Sequence, residues 1–184
     1  MQTTFIVHVE DQPGVLTRVT SLIRRRGFNI ASLTVGRTER DGVSRMTIVM
    51  DSDEHAVPRI EANLYKLVNV IRVENVTPQP SVHRDLAMIK VAADQASRAA
   101  IMQLVEVFRA RVVDVSPDSL IVEITGAEDK IDGFVEMLRP YGVLEMARTG
   151  RVAMARGVGG QPPAESTART EISAVLDEGV SFSV

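Results

Sequence analysis

One order of predicted elements, β-α-β-β-α-β, occurs twice in this chain, with equal spacing up to the hairpin, which is shorter in the second copy. In the first, Phe5, Val7 and Val9 alternate with Ile6, His8 and Glu10, a strand period with both faces partly covered. Val15, Leu16, Val19, Leu22 and Ile23 then follow helical spacing, and Gly27 ends that helix as a residue just past a C-cap would. Ile30 to Gly36 reads as a second strand, Arg40-Asp41-Gly42 as a hairpin turn and Val43 to Met50 as a third strand. Ile60, Leu64 and Leu67 line a helix beginning near Glu54, and Val68 to Val76 closes the unit. Thr77-Pro78-Gln79-Pro80-Ser81 is turn-rich, and the order then repeats. Leu86 to Ala92 is a strand, Ile101, Leu104, Val105 and Phe108 line a helix, and Arg111 to Val115 and Ser119 to Thr125 flank a turn. Ile131, Phe134, Val135 and Leu138 line the last helix, which Pro140 and Gly142 stop before Val143 to Arg148. Phe5 is offset from Leu86 by the same interval as Ile30 from Arg111.

The economical reading is α+β, two tandem ferredoxin-like units. The boundaries are residues 3–77, a linker at 78–83, a second unit at 84–156, and a tail at 157–184 expected to be disordered. Within that tail, Glu171 to Leu176 could form one amphipathic turn. In a ferredoxin-like unit the helices cover one sheet face. The other face, here with Ile6, His8, Thr34 and Thr47, needs a partner or water; because the strands Val43–Met50 and Val70–Val76 carry apolar residues on both faces, an obligate dimer is expected.

Composition narrows the function. No apolar run approaches the roughly 20 residues of a membrane helix. No basic-then-apolar leader is visible at the N-terminus. Cysteine is absent, which removes disulfides, thiolate metal sites and a cysteine nucleophile. A cytoplasmic protein is expected. With a net charge of −3 and no Trp, the chain lacks the basic, aromatic face of a nucleic-acid binder, and Arg24-Arg25-Arg26 reads as the solvated last turn of a helix. An amino-acid-sensing transcription factor would need a helix-turn-helix or basic arm, yet strand pattern begins at residue 3. His8, His55 and His83 show neither metal-ligand spacing nor the order of a catalytic triad, so independent catalysis is not expected.

Glu10-Asp11-Gln12-Pro13-Gly14 lies between the first strand and the first helix. The leading N–H groups of a helix have no internal partner and sit at the positive end of its dipole. Gly14 would let a ligand carboxylate approach them, with Val15 and Leu16 beside the ligand's aliphatic part. Asp11 is placed for a ligand ammonium, and Asn29 can donate and accept. These residues suit a free amino acid. The competing reading makes Asp11 a cap, Pro13 a first-turn residue and Gly14 a packing residue. The second unit's helix starts at Asp94-Gln95-Ala96-Ser97, without glycine or proline, so any ligand belongs to the first unit.

The segments VEDQPGVLTRV, RRGFNIASLTVG, SRMTIVM, LYKLVNVIRV, RDLAMIKV, FRARVVDVSPDSLIVEITG and EMARTGRVAMARG resemble the regulatory (small) subunits of acetolactate synthase, also called acetohydroxyacid synthase. The resemblance runs in order from about Thr3 to Gly157. It implies an N-terminal ACT domain and a homodimer that binds valine where two ACT domains pair. It also implies a separate catalytic subunit, activated by this chain and made sensitive to end product. That subunit would carry thiamine diphosphate, magnesium and FAD and condense two pyruvates, or pyruvate and 2-oxobutyrate, with loss of carbon dioxide; no cofactor is expected here. Carried over by position, the valine loop falls on Asp11, Gln12, Pro13, Gly14, Val15 and Leu16, and the second contact segment on Asn29 and Ile30, with Thr34 and Val35 nearby. Asp11 stands where the family often has asparagine; its charge favours the ammonium and opposes the carboxylate of a ligand.

Overall fold

A computed structural model of the chain describes residues 1–157. The expected tail beyond Gly157, including the Glu171–Leu176 turn, lies outside the described residues.

The first unit runs β1 (Gln2–Glu10), α1 (Val15–Arg25), β2 (Asn29–Arg37), β3 (Val43–Asp51), α2 (Val57–Leu64) and β4 (Val70–Asn75). Its sheet is antiparallel between neighbours in the order β2-β3-β1-β4. The alternation read in the sequence sends Phe5, Val7 and Val9 to the helix side, where they pack with Val15, Val19 and Ile23 of α1 and Met46, Ile48 and Met50 of β3. Where a helix was expected from Glu54, a 3-10 turn spans Glu54–Ala56 and the α-helix follows. The Asp53 carboxylate accepts the Ala56 N–H at 2.6 Å, and Pro58 suits the first helical turn. Leu67 falls outside that helix but still packs on the core.

The second unit repeats the plan: β5 (Ser81–Ala92), α3 (Arg98–Val107), β6 (Arg111–Val115), β7 (Ser119–Gly126), α4 (Glu128–Leu138) and β8 (Val143–Arg148). Its sheet order is β6-β7-β5-β8, the same as in the first unit. Ala87, Ile89 and Val91 of β5 pack with Ile101 of α3 and Ile131, Phe134 and Leu138 of α4. The α+β reading with two ferredoxin-like units holds.

A ninth strand, β9 (Val152–Ala155), was not expected. It pairs with residues 81–84 of β5, so β5 begins within the segment read as linker. Ala153 packs on Ile6 and Val76, and Ala155 flanks them. Ile6 and Thr47 are consequently buried. Part of the open face assigned to a second copy is thus closed by the chain's own second unit, and the burial argument for a dimer weakens. The case for a second copy passes to the sheet edges.

Candidate functional site

The loop after β1 is held from several directions. The Asp11 N–H donates to Gly42 O at 2.8 Å and the Gln12 N–H to Glu10 O at 3.0 Å. Asn69 Nδ2 donates to Glu10 Oε2 at 2.7 Å while its Oδ1 accepts from Arg18 Nη1 at 2.6 Å, tying the second turn of α1 to the end of β1. Sequence reasoning did not find this Glu10–Asn69–Arg18 chain, because Asn69 lies in the distant turn before β4.

Gly14 is the N-cap of α1 in the left-handed region, φ +85°, and no side-chain cap bond is made among the described residues. Asp11 therefore does not act as the cap; its carboxylate lies 3.9 Å from Arg37 Nε at the exposed end of β2. A Cβ added at Gly14 would meet nothing within 4 Å among the described residues, so Gly14 serves its backbone angle and an open approach, not packing. The Val15 N–H reaches Gln12 O at 3.3 Å and the Arg18 N–H reaches Gly14 O at 3.0 Å. Between them the N–H groups of Leu16 and Thr17 have no intrahelical acceptor, as helix geometry dictates. Val15 is buried in the core and Leu16 is 43% exposed beside that first turn. Such a turn can take a carboxylate, and Leu16 offers it an apolar flank.

The second contact segment is elsewhere. Asn29 is opposite Asp51, which is opposite Gln2 at the start of β1; Arg37 is opposite Ser44, near the end where Glu10 meets Val43. Asn29 and Gly14 therefore sit at opposite ends of the sheet, about 27 Å apart along eight strand steps. Ile30 and Val35 are on the helix side, opposite Met50 and Met46. A bulge at Ala31 lets both Ile30 and Leu33 reach the core. Thr34 is on the other face, where its Oγ1 donates to Thr149 O at 3.3 Å. A single chain brings Asp11 to Leu16 together and leaves Val35 near their end of the sheet, but it does not bring Asn29 or Ile30 to them.

A further cavity, of about 420 Å³, lies on the open face between Ile6, His8, Arg45 and Arg72. His8 is directly between Arg45 and Arg72 in register, and its Nδ1 is buried without a hydrogen-bond partner among the described residues. Burial, then the two guanidinium charges, hold its pKa below the ordinary value. Unfolded His8 takes a proton near about pH 6.5, where folded His8 resists it. The contribution is thus complete above that pH and is lost as pH falls through the lower folded value. His83, held down by burial and then by Arg151, acts in the same sense. Chemical-denaturation curves are expected to show stability declining below about pH 6.5, with a shallower decline in His8→Gln; an identical slope would contradict it.

Two family descriptions match the two units. Residues 5–72 match "AHAS small subunit-like ACT domain" and residues 84–157 match "Small subunit of acetolactate synthase". This chain belongs to the acetolactate synthase small subunit family. A probable acetolactate synthase small subunit of Archaeoglobus fulgidus is 53% identical over 157 residues, covering 85% of this chain and 98% of that protein. The acetolactate synthase small subunit of Mycolicibacterium smegmatis is 49% identical over 154 residues, covering 84% and 91%. The crystal structure of the small subunit from Thermotoga maritima superposes with a TM-score of 0.81 at 42% identity, over 85% of this chain and 98% of that one.

Proposed function

We propose that this chain is the regulatory subunit of an acetolactate synthase. It activates a separate thiamine-diphosphate-dependent catalytic subunit and makes it sensitive to valine, which binds between the ACT domains of two copies. Thiamine diphosphate, magnesium and FAD belong to the catalytic partner on this reading. The holoenzyme condenses pyruvate in the cytoplasm, and the present chain contributes no reacting group.

The observation that carries the two-copy site is the separation of Gly14 from Asn29 across the sheet. β1 and β2 are parallel, each antiparallel to β3 between them. A two-fold axis near Leu33, pairing β2 with the same strand of a second copy, reverses one strand against the other. Asn29 of the partner subunit then comes beside Arg37, at the end where Gly14 opens. The α-carboxylate meets the first turn of α1, the ammonium lies towards Asp11, and the isopropyl group lies against Leu16 and Val35. Each site needs both copies, so valine links their geometry.

The two sheet edges favour this pairing. β2 is an edge strand of nine residues without proline. At the other edge, Tyr65 Oη accepts the Val73 N–H at 3.0 Å and donates to Val73 O at 3.2 Å. The hydroxyl thus occupies the outward backbone groups in the middle of β4 and blunts that edge against strand addition. Removing both bonds in Tyr65→Phe is expected to cost about 1–3 kcal/mol and to shift the mass in light scattering above that of the dimer. A mass that stays at the wild-type value would show that Tyr65 does not guard this edge.

The reading as a whole is tested by assaying the catalytic subunit with pyruvate, with and without this chain and with and without valine. The chain should raise the rate, and valine should lower it only when the chain is present. No change in rate on adding the chain would contradict the proposal.

A further inference from the structure

On the proposed reading that valine binds along β2, we propose that Thr149, Gly150 and Arg151 form the joint that carries occupancy of that strand to the second unit. These three residues connect β8 to β9. The turn is bonded to the open face of β2: Thr34 Oγ1 donates to Thr149 O at 3.3 Å and the Arg151 N–H donates to Ser32 Oγ at 2.8 Å. Gly150 has φ +84°, and a Cβ there would lie 2.6 Å from Ser32 Oγ and 3.3 Å from Thr34 Oγ1. A side chain at position 150 would have to displace the Ser32 and Thr34 hydroxyls that bond this turn to β2.

On its other side the joint is anchored in the second unit. Thr149 exchanges bonds with the backbone of Leu86, its N–H donating to Leu86 O at 3.0 Å and its Oγ1 accepting the Leu86 N–H at 3.2 Å. The Arg151 guanidinium pairs with Glu128 Oε2 at 2.6 Å, on the first residue of α4. It also reaches Gln2 Oε1 at 3.2 Å and Thr4 Oγ1 at 3.5 Å on β1. Arg148 bridges Asp85 of β5, at 3.2 Å, and Asp132 of α4, at 2.7 Å. A three-residue turn thus holds β1 and β2 of one unit and α4 and β5 of the other.

The place on β2 matters. Ser32 follows the Ala31 bulge, whose near side carries Asn29 and Ile30. A bulge is where a strand can change twist without breaking its pairing. Ordering of Asn29 and Ile30 by a ligand and a second copy would be felt first at Ser32, and Ser32 is held by Arg151. A cavity of about 360 Å³ lined by Ala31, Ser32, Asp85, Glu128 and Arg148 leaves room beside the joint for such a displacement. The N-terminal turn of α4 is the receiving element, since Arg148 and Arg151 both end on it. Thr34 then acts from the open face as a positioning residue.

Ser32→Ala removes the bond to the joint without adding bulk, and Arg151→Gln removes the ion pair to Glu128. Both are studied as full-length dimers with the catalytic subunit, using valine as the probe. Each is expected to bind valine calorimetrically within about threefold of wild type and still to activate. The ratio of activity without and with saturating valine should fall at least about threefold, within the range of ordinary allosteric couplings. Amide exchange at residues 128–132 should slow with valine in wild type and in Arg151→Lys, and stop responding in Ser32→Ala and Arg151→Gln. Unchanged inhibition with α4 still responding would overturn the joint while leaving the valine site intact. A wild-type dimer that gives no heat with valine would overturn the reading beneath it, and the joint with it.

Discussion

Gly14→Asp is expected to abolish valine inhibition while leaving activation of the catalytic subunit within about twofold of wild type. The backbone at Gly14 has φ +85°, where a side chain other than glycine costs about 1–2 kcal/mol. Aspartate is among the residues that tolerate the left-handed region best. A Cβ there meets nothing within 4 Å among the described residues, so the fold is expected to survive. The ligand does not fare as well. A second carboxylate beside the first turn of α1 occupies the N–H groups that a valine carboxylate would take, and two like charges about 4 Å apart repel by about 4 kcal/mol at the effective dielectric of a protein surface. Even with part of that screened, affinity should fall about 100-fold or more, close to 3 kcal/mol. Gly14→Ala separates the causes, since it carries the backbone strain without the charge and should retain most of the binding. Calorimetry of both variants checks this. Equal losses would assign the effect to strain, and undiminished binding in Gly14→Asp would remove the loop from the site.

Phe134→Ala is expected to have the largest effect on stability. Phe134 is fully buried on α4 and packs against Phe108, with ring centroids 5.1 Å apart and a tilt of 46°. Truncating a buried phenylalanine costs about 3–5 kcal/mol, through lost transfer energy and the cavity left among Ile131, Leu138 and Ile101. For a unit of this size that lowers Tm by about 10 °C or more. The first unit has its own core around Phe5, Val7 and Ile48. Calorimetric melting should therefore separate into two transitions, with the second unit melting first. A single transition lowered as a whole would show that β9 and the 149–151 turn weld the units into one cooperative body.

The fold was legible wherever its causes are local. The period of Phe5, Val7 and Val9, the helical spacing from Val15 to Ile23 and the turn at Asp41-Gly42 each describe their element without tertiary help. The start of β5 was not, because Ser81-Val82-His83-Arg84-Asp85 is too polar for a core strand. It is a strand there because β9, 68 to 74 residues later, supplies its partner. The Gly14 loop could be read because glycine and proline at a helix entrance have a local meaning. Its separation from Asn29 follows from topology, since a strand reached through a crossover helix starts where the first strand starts. The contacts of Ser32 and Thr34 with residues 149–151 bridge more than 100 residues and have no pattern in either segment.

On the proposed reading, each valine site takes Gly14 from one copy and Asn29 from the other. Dimers made by coexpressing a Gly14→Asp chain with an Asn29→Ala chain, under two affinity tags, contain one site with both substitutions and one with neither. Calorimetry on the doubly purified mixed dimer should recover wild-type affinity at half the stoichiometry, while each homodimer binds poorly. Mixed dimers that bind no better than the homodimers would contradict a shared site and return Gly14 and Asn29 to separate roles within one chain.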